Sequence, residues 1–369
     1  PAKRRAMSLR PTLDFLLYDW LQAETLTQRE RFADHSRETF DAVFDTCERV
    51  ARKKYAPFNR LVDTQEPRFD GEKVILPQAT HDAHKAYVET GMLAAAQDYE
   101  IGGMQLPYTV NASANAFFAL ASVSIGSNLL TVGNANLLLV HGTATQKEVF
   151  AKNELAGRWA GTMCLSEPQA GSSLSDITTR AVPDVQGDGT GVDWTQDPLG
   201  QRYRLRGNKM WISGGEHEIL GNIVHLVLAK VPDADGKLPA GTRGISLFIV
   251  PRSLVDADGN VGERNDVSLA GLNHKLGYRA TVNCALNFGE GRFKPEGRAG
   301  AIGYLVGKPG EGLAGMFHMM NDARIGVGLG AVALGYAGYL LALDYARNRP
   351  QGRLPGPAGK DPSQPQQPL

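Results

Sequence analysis

Residues 163–176 read MCLSEPQAGSSLSD. The stretch opens like a β-strand and turns at Pro168 into small and hydroxyl-bearing residues. Such a loop exposes backbone N–H groups and short hydroxyls with little steric cover. That suits a large polar ligand better than a closed core. At a strand edge, Leu165 and Ser166 can offer backbone N–H groups, and Ser166 a hydroxyl as well. A planar heteroaromatic ring with carbonyl and imine acceptors could use those donors. Gly171 permits close backbone approach to a phosphate, with Ser172 and Ser173 as side-chain donors. The same residues also read as a polar loop capping a barrel strand.

The texture differs on the two sides of this stretch. From about residue 13 to 160 the pattern is mostly helical. RERFADHSRETFDAVFDTCERVARKKYA (29–56) repeats apolar residues at i, i+3 and i+4, the mark of an amphipathic helix. ANAFFALASVSIGSNLLTVGNANLLLVHG (114–142) is weakly charged and reads as a buried helical pair. Thr143 and Gln146 stand in capping-box spacing. From Trp159 to about 292 come the short β-rich runs WAGTMCLS, RYRLRG, NIVHLVLAK, GISLFIVP and VNCALNFGE. Turns such as QGDGTG and DADGN separate them, which suggests a small barrel or sandwich. Helix returns after Gly310, in a run whose many glycines would let helices approach closely. The last twenty residues hold six prolines and should lack regular structure.

An α+β architecture follows. Residues 1–160 form an N-terminal helical domain and 161–292 a middle β-barrel. Residues 293–369 begin a C-terminal helical bundle, with a Pro-rich tail from about 350. Lys plus Arg equals Asp plus Glu at 39 each among 369 residues, so no global field draws the chain to nucleic acid or an anionic membrane. The apolar stretch near the start is too short, and too interrupted by Asp14 and Asp19, to span a bilayer. Cys47, Cys164 and Cys284 form no CxxC pair. They read as buried free thiols in a reducing compartment, with no zinc site. A cytoplasmic location is the default expectation.

The second informative stretch is GNKMWISGGEHEI (207–219). Strand alternation places Trp211 and Ser213 on one face. There a large aromatic and a hydroxyl could flank a ring system. A core tryptophan is the competing reading.

Taken together, Ser166–Ser172 and Lys209–Gly215 resemble the paired S-E-P-x-A-G-S and K-x-W-I-[ST]-x-G motifs of the acyl-CoA dehydrogenase family. YEIGGMQLP (99–107), KLGYRATVNCALNFGE (275–290) and KPGEGLAGMFHMMNDAR (308–324) follow in that family's order. The extended N-terminal part and GEHEI look most like the longer members, such as the 3-(methylthio)propanoyl-CoA dehydrogenases. The resemblance implies that Met163, Leu165 and Ser166 contact an FAD isoalloxazine, flanked by Trp211 and Ser213. It implies that Gly171 and Ser172 line the pyrophosphate and CoA side. Arg324 would lie near the CoA entrance, and Arg349 would reach the FAD of a neighbouring subunit. Gln351 falls close to a further cofactor contact.

The implied function is α,β-dehydrogenation of an acyl-CoA. An electron-transfer flavoprotein would be the acceptor, and the chain would act as a homodimer or homotetramer. Removing two hydrogens from a saturated bond needs a base and a hydride acceptor, and no side chain accepts hydride. The family's Y-E-G-[TS] motif, which carries the base, is missing. The alternative base position is Ala323. Asp322 beside it would point about 100° away on a helix. The expectation is therefore no catalytic residue in this chain, a base beyond Leu369, and a chain that ends before its last bundle is complete. Three rivals remain. GVGLGA (326–331) fits a nicotinamide fingerprint, although no strand precedes it. A flavin oxidase, or a non-catalytic flavoprotein scaffold of the DNA-associated kind, could use the same fold.

Overall fold

A computed structural model describes residues 8–125, 128–185, 193–353 and 355–368. The basic residues 1–7 and the QGDGTG turn lie outside the described residues. The helical part starts with α1 (Arg10–Asp14), which continues as a π-helical turn through Trp20. It goes on through α2 (Arg37–Val50), α3 (Asn59–Thr64), α4 (Gln78–Val88), α5 (Tyr108–Ser122) and α6 (Asn128–His141). The short α7 (Ala144–Gln146) and α8 (Lys152–Leu155) follow. A two-residue ladder, β1 (Arg68–Phe69) with β2 (Val74–Ile75), lies between α3 and α4.

Local chemistry sets these boundaries. Ser36 caps α2 by accepting the Thr39 N–H, and Phe40, Phe44 and Cys47 recur on its buried face. Thr143 and Gln146 form the anticipated reciprocal box, with Gln146 N donating to Thr143 Oγ1 at 3.2 Å and Thr143 N to Gln146 Oε1 at 3.0 Å. Each such cap contributes about 1 kcal/mol.

The β-rich half is one sheet closed on itself. Its strands are β3 (Trp159–Cys164), β4 (Arg180–Pro183), β5 (Arg202–Ser213), β6 (Asn222–Lys230) and β7 (Ile245–Pro251). The outlying pair β8 (Ser253–Val255) and β9 (Val261–Arg264) is joined by the DADGN turn, where Asp256 N donates to Asn260 O. The sheet resumes with β10 (Val267–Leu272), β11 (Asn283–Phe288) and β12 (Ala301–Val306). The order is β10-β11-β5-β12-β7-β6-β3, and β4 pairs with both β5 and β6 to close the barrel. Every residue of β6, β7 and β12 is buried. This explains why they read as unbroken apolar runs rather than alternating ones. The barrel also reaches past residue 292. β12 pairs with β5 and β7, so the segment assigned to a helical bundle first supplies a barrel strand. Its apolar run carries no alternation to mark it as one.

α9 (Gly312–Asn348) leaves the barrel directly and packs on α5, α6 and β7. By length and composition it is the described helix able to cross a membrane; its contacts with two helices and a strand are those of a bundle helix. The glycine expectation holds only in part. A Cβ on Gly312 would lie 2.3 Å from the Ser246 carbonyl carbon, and one on Gly330 would lie 2.9 Å from Tyr278 Oη. Gly328, Gly335 and Gly338 have nothing within 4 Å. The tail beyond α9 holds one 3₁₀ turn, Pro357–Lys360, and an isolated bridge between Gly352 and Gln367.

Candidate functional site

β5 carries the centre of the site. Lys209 is opposite Leu286 and Ile212 opposite Cys284, so Met210 and Trp211 together face Ala285 alone. This is a β-bulge, and Trp211 adopts φ +65° within it. A bulky residue rarely takes that conformation. The bulge re-aims the strand. Ile212 turns into the core, while the Trp211 indole is left 60% exposed. Ser213 is half-buried, and its Oγ accepts from Asn283 Nδ2 at 3.1 Å. Trp211 and Ser213 therefore flank a buried residue and share an outer face, as the alternation implied.

The bulge also has a consequence that strict alternation hides. Lys209 would share the face of Trp211 and Ser213 if the strand were regular; instead its side chain is fully buried. Its Nζ donates to Leu165 O and to Glu167 Oε1, both at 3.0 Å. Glu167 Oε1 also accepts from Thr179 N and Oγ1, and Oε2 accepts from Thr178 N and Oγ1 and from Gln169 Nε2. Burial raises the Glu167 pKa, but the Lys209 charge and these donors more than offset it and hold the carboxyl at about 2. Burial likewise pulls Lys209 down from the ordinary lysine value, partly opposed by Glu167. The ion pair clamps the strand end at Leu165 to β5. A further bond, Met210 N to Ser166 O at 2.9 Å, completes the join. Glu167 and Lys209 were missed as site residues. The signal was the single charged residue in each otherwise uncharged motif, Glu167 in SEPQAGS and Lys209 in KMWISGG.

The other expected positions fall around this clamp. Met163 and Ser166 are half-buried, and the Leu165 side chain is in the core, so Leu165 has only its backbone to offer. Gly171, Ser172 and Ser173 are exposed, and a Cβ on Gly171 would meet nothing within 4 Å. Arg324 is exposed, with Nη1 on Asn321 Oδ1 at 3.0 Å and its guanidinium 5.2 Å from the Phe317 ring centroid. Arg349 is exposed at the C-terminal end of α9, and Gln351 lies just beyond it. The 25 helical residues from 324 to 348 span about 37 Å, so Arg324 and Arg349 cannot serve one ligand within one chain. The three cysteines are free and buried, and burial pushes the Cys47 and Cys164 thiols up to about 12.

A cavity of about 200 Å³ lies between α5, α6 and α9. Tyr55, Tyr87, Tyr108, Phe118 and Tyr278 give it an aromatic lining, and Ile325, Val327 and Leu329 of α9 face it. Its polar members are paired in part: Tyr87 Oη donates to Asn115 Oδ1 at 2.8 Å, and Asn136 Nδ2 to Asp322 Oδ2 at 3.2 Å. Asp322, expected to turn away, lines this cavity, and Ala323 is not among its lining residues. The 273–282 loop joins the cavity to the bulge. Tyr278 reaches the cavity, Thr281 Oγ1 donates to Ser124 O at 2.7 Å, and Gly214 N donates to Val282 O at 2.8 Å beside Ser213. Glu66 pins the loop from outside through Arg279 and His274. An exposed aromatic edge and a lined cavity are thus joined by one hydrogen-bonded loop.

Comparison with known proteins fits this arrangement. Residues 162–290 match the acyl-CoA dehydrogenase middle domain. A 3-methylmercaptopropionyl-CoA dehydrogenase of Ruegeria pomeroyi is 38% identical over 339 residues, covering 91% of this chain and 52% of the relative. A butyryl-CoA dehydrogenase of Syntrophomonas wolfei is 31% identical over 349 residues, covering 92% and 53%. An acyl-CoA dehydrogenase from Bacillus anthracis, solved with FAD, superposes with a TM-score of 0.61 at 21% identity, covering 86% of this chain and 46% of that one. The chain spans about half the length of the curated relatives it matches. Residues 162–290 thus carry the acyl-CoA dehydrogenase middle domain, and the chain over most of its length is similar to acyl-CoA dehydrogenases.

Proposed function

We propose that this chain supplies the cofactor-binding barrel and the acyl cavity of an FAD-dependent acyl-CoA dehydrogenase, which converts an acyl-CoA thioester to the 2-enoyl-CoA. The observation that carries the reading is the Trp211 indole, held outward in a strained bulge beside Ser213 and tied by the 273–282 loop to a lined cavity. A strained, exposed indole is costly for folding alone. Covering it with a flat aromatic ring recovers the part of that cost due to exposure.

The residues present fit FAD. Met163 and Ser166, at the end of β3, and Trp211 and Ser213, on β5, would hold the ring system, and open Gly171 and Ser172 the pyrophosphate side. When bound, FAD supplies the hydride acceptor that no side chain provides. The protein's own part is placement. The Lys209–Glu167 clamp sets the Leu165–Ser166 backbone against Trp211. The aromatic cavity wall excludes water from the carbon chain, and exposed Arg324 stands on α9 where a CoA phosphate could pair with it. An electron-transfer flavoprotein is the acceptor this reading implies, and the buried reduced thiols suit a cytoplasmic enzyme.

Trp211→Ala tests the reading. The variant should bind FAD about tenfold more weakly, the scale of a lost aromatic contact with its buried area, with the secondary structure unchanged by circular dichroism. Equal dissociation constants for the two proteins would remove Trp211 from the cofactor site.

A further inference from the structure

Glu154, in α8, is fully buried, and neither of its carboxyl oxygens has a hydrogen-bond partner among the described residues. The Oδ1 of Asn134, on α6, is equally buried and equally unpaired. The two groups meet at one point: a Cβ on Gly161 of β3 would lie 2.3 Å from Glu154 Oε1 and 2.6 Å from Asn134 Cβ. Turning the Asn134 amide over does not help. Its Nδ2 already donates to Thr162 O at 3.3 Å and to Val224 O at 2.9 Å, and an amide has only two such hydrogens. Three buried acceptor atoms are thus left without a donor, and such groups in native proteins call for a reason.

An ionised carboxylate buried without a counter-charge is very costly, and the surroundings of Glu154 supply none. Thr131 of α6 is committed to Gly161, whose N–H it accepts at 3.1 Å, and none of Thr131, Asn134 and Gly161 titrates. His141, two turns along α6 from Asn134, faces His318. On β6, His225 is bonded to Thr162 Oγ1 at 2.8 Å and packs on Phe288. Beside Glu154 in sequence, Lys152 pairs with Glu148 and Arg158 is exposed. Burial is therefore what acts on the Glu154 carboxyl, and it pushes it well above the ordinary carboxylate range. A proton turns one of these acceptors into the donor that the others lack. We infer that Glu154 is held as the neutral acid and donates to Asn134 Oδ1, so that a proton forms part of the joint between α6 and β3. This joint ties the helix whose Val132, Gly133 and Asn136 line the cavity to the strand that carries Met163. Loss of the proton as pH rises leaves an unpaired charge at the joint and loosens it.

The folded chain keeps a proton that the unfolded chain releases. The stability this proton carries is full at low pH and falls from about pH 5 upward, until the folded carboxyl itself ionises. Glu154→Gln, whose amide is a permanent donor, removes the dependence. Urea midpoints of the full-length protein, measured from pH 5 to 9, should fall in the parent relative to Glu154→Gln. The gap in folding equilibrium constant should widen about tenfold per pH unit. With 13C-labelled glutamate, the carboxyl resonance that Glu154→Gln lacks should keep its protonated shift in the parent at pH 7. Parallel pH profiles, or a resonance at the ionised position at pH 7, would overturn the inference. A Glu154→Gln variant that fails to fold, or is the weaker of the two at pH 8, would do the same, because the negative charge would then be required. So would stabilisation of the parent alone by sodium or potassium at constant ionic strength, which would put a cation where the proton is inferred. No step of this test needs FAD or a thioester, so its outcome is separate from that of the Trp211 experiment.

Discussion

Lys209 and Glu167 are fully buried charges of opposite sign, and their energetics differ from those of a surface pair. Each needs the other, because an unpaired charge cannot stay in the barrel wall. Lys209→Met should therefore cost about 3–5 kcal/mol. Adding Glu167→Gln to it should restore part of the loss by removing the unpaired charge, while the single amide oxygen can accept from only one of Thr178 N and Thr179 N. Urea midpoints of the two single variants and the double variant measure this coupling directly. Additive losses would mean that the pair acts through something other than mutual charge. The motifs named these residues, yet their role was invisible. The one-residue bulge at Met210–Trp211 shifts the phase of β5, and a sequence pattern of period two cannot register such a shift.

At the scale of elements, α9 shows how one helix can use the same residue type for opposite ends. Gly312 sits where the helix leaves β12, against the backbone of Ser246 and Leu247. Gly310 N donates to Ser246 Oγ at 3.0 Å just before it. Gly335 has open space around it. Gly312→Ala should lower stability by about 1–3 kcal/mol through overpacking against backbone that cannot retreat. Gly335→Ala should raise it by about 0.5–1 kcal/mol, because the helix interior loses a flexible residue. Chemical denaturation of the two variants separates contact from propensity; like signs would show that α9 docks differently. The composition of α9 marked it as helical and apolar. Which of its glycines meet a neighbour depended on where β7 and the Tyr278 loop came to rest.

Over the whole molecule, α9 carries Arg324 near the cavity end and Arg349 about 37 Å further on. Along it Val332, Leu341 and Tyr345 are each more than 60% exposed, an apolar surface of the kind that marks association. If Arg349 serves the cofactor of a second subunit, FAD binding and assembly are linked. Arg349→Ala should then release FAD more readily on dilution than at high protein concentration, followed by flavin fluorescence together with sedimentation. A monomer that retains stoichiometric FAD would sever that link.

The sequence by itself determined the order of the parts: amphipathic helices, then a barrel of apolar strands, then a glycine-rich helix. It also carried the resemblance to acyl-CoA dehydrogenases, through S-E-P and K-x-W-I-S in their proper succession. These are local or ordered signals, carried by residue type and spacing. Tertiary structure decided the rest, because each item depends on segments far apart in the chain. β12 became a barrel strand only by pairing with β5 and β7. Asp322 came to line the cavity where α9 packs against α6, and it accepts there from Asn136. The Ser122 hydroxyl, buried at the end of α5, has no partner among the described residues, a circumstance set by the packing of α5 against α9 and not by its own sequence neighbourhood.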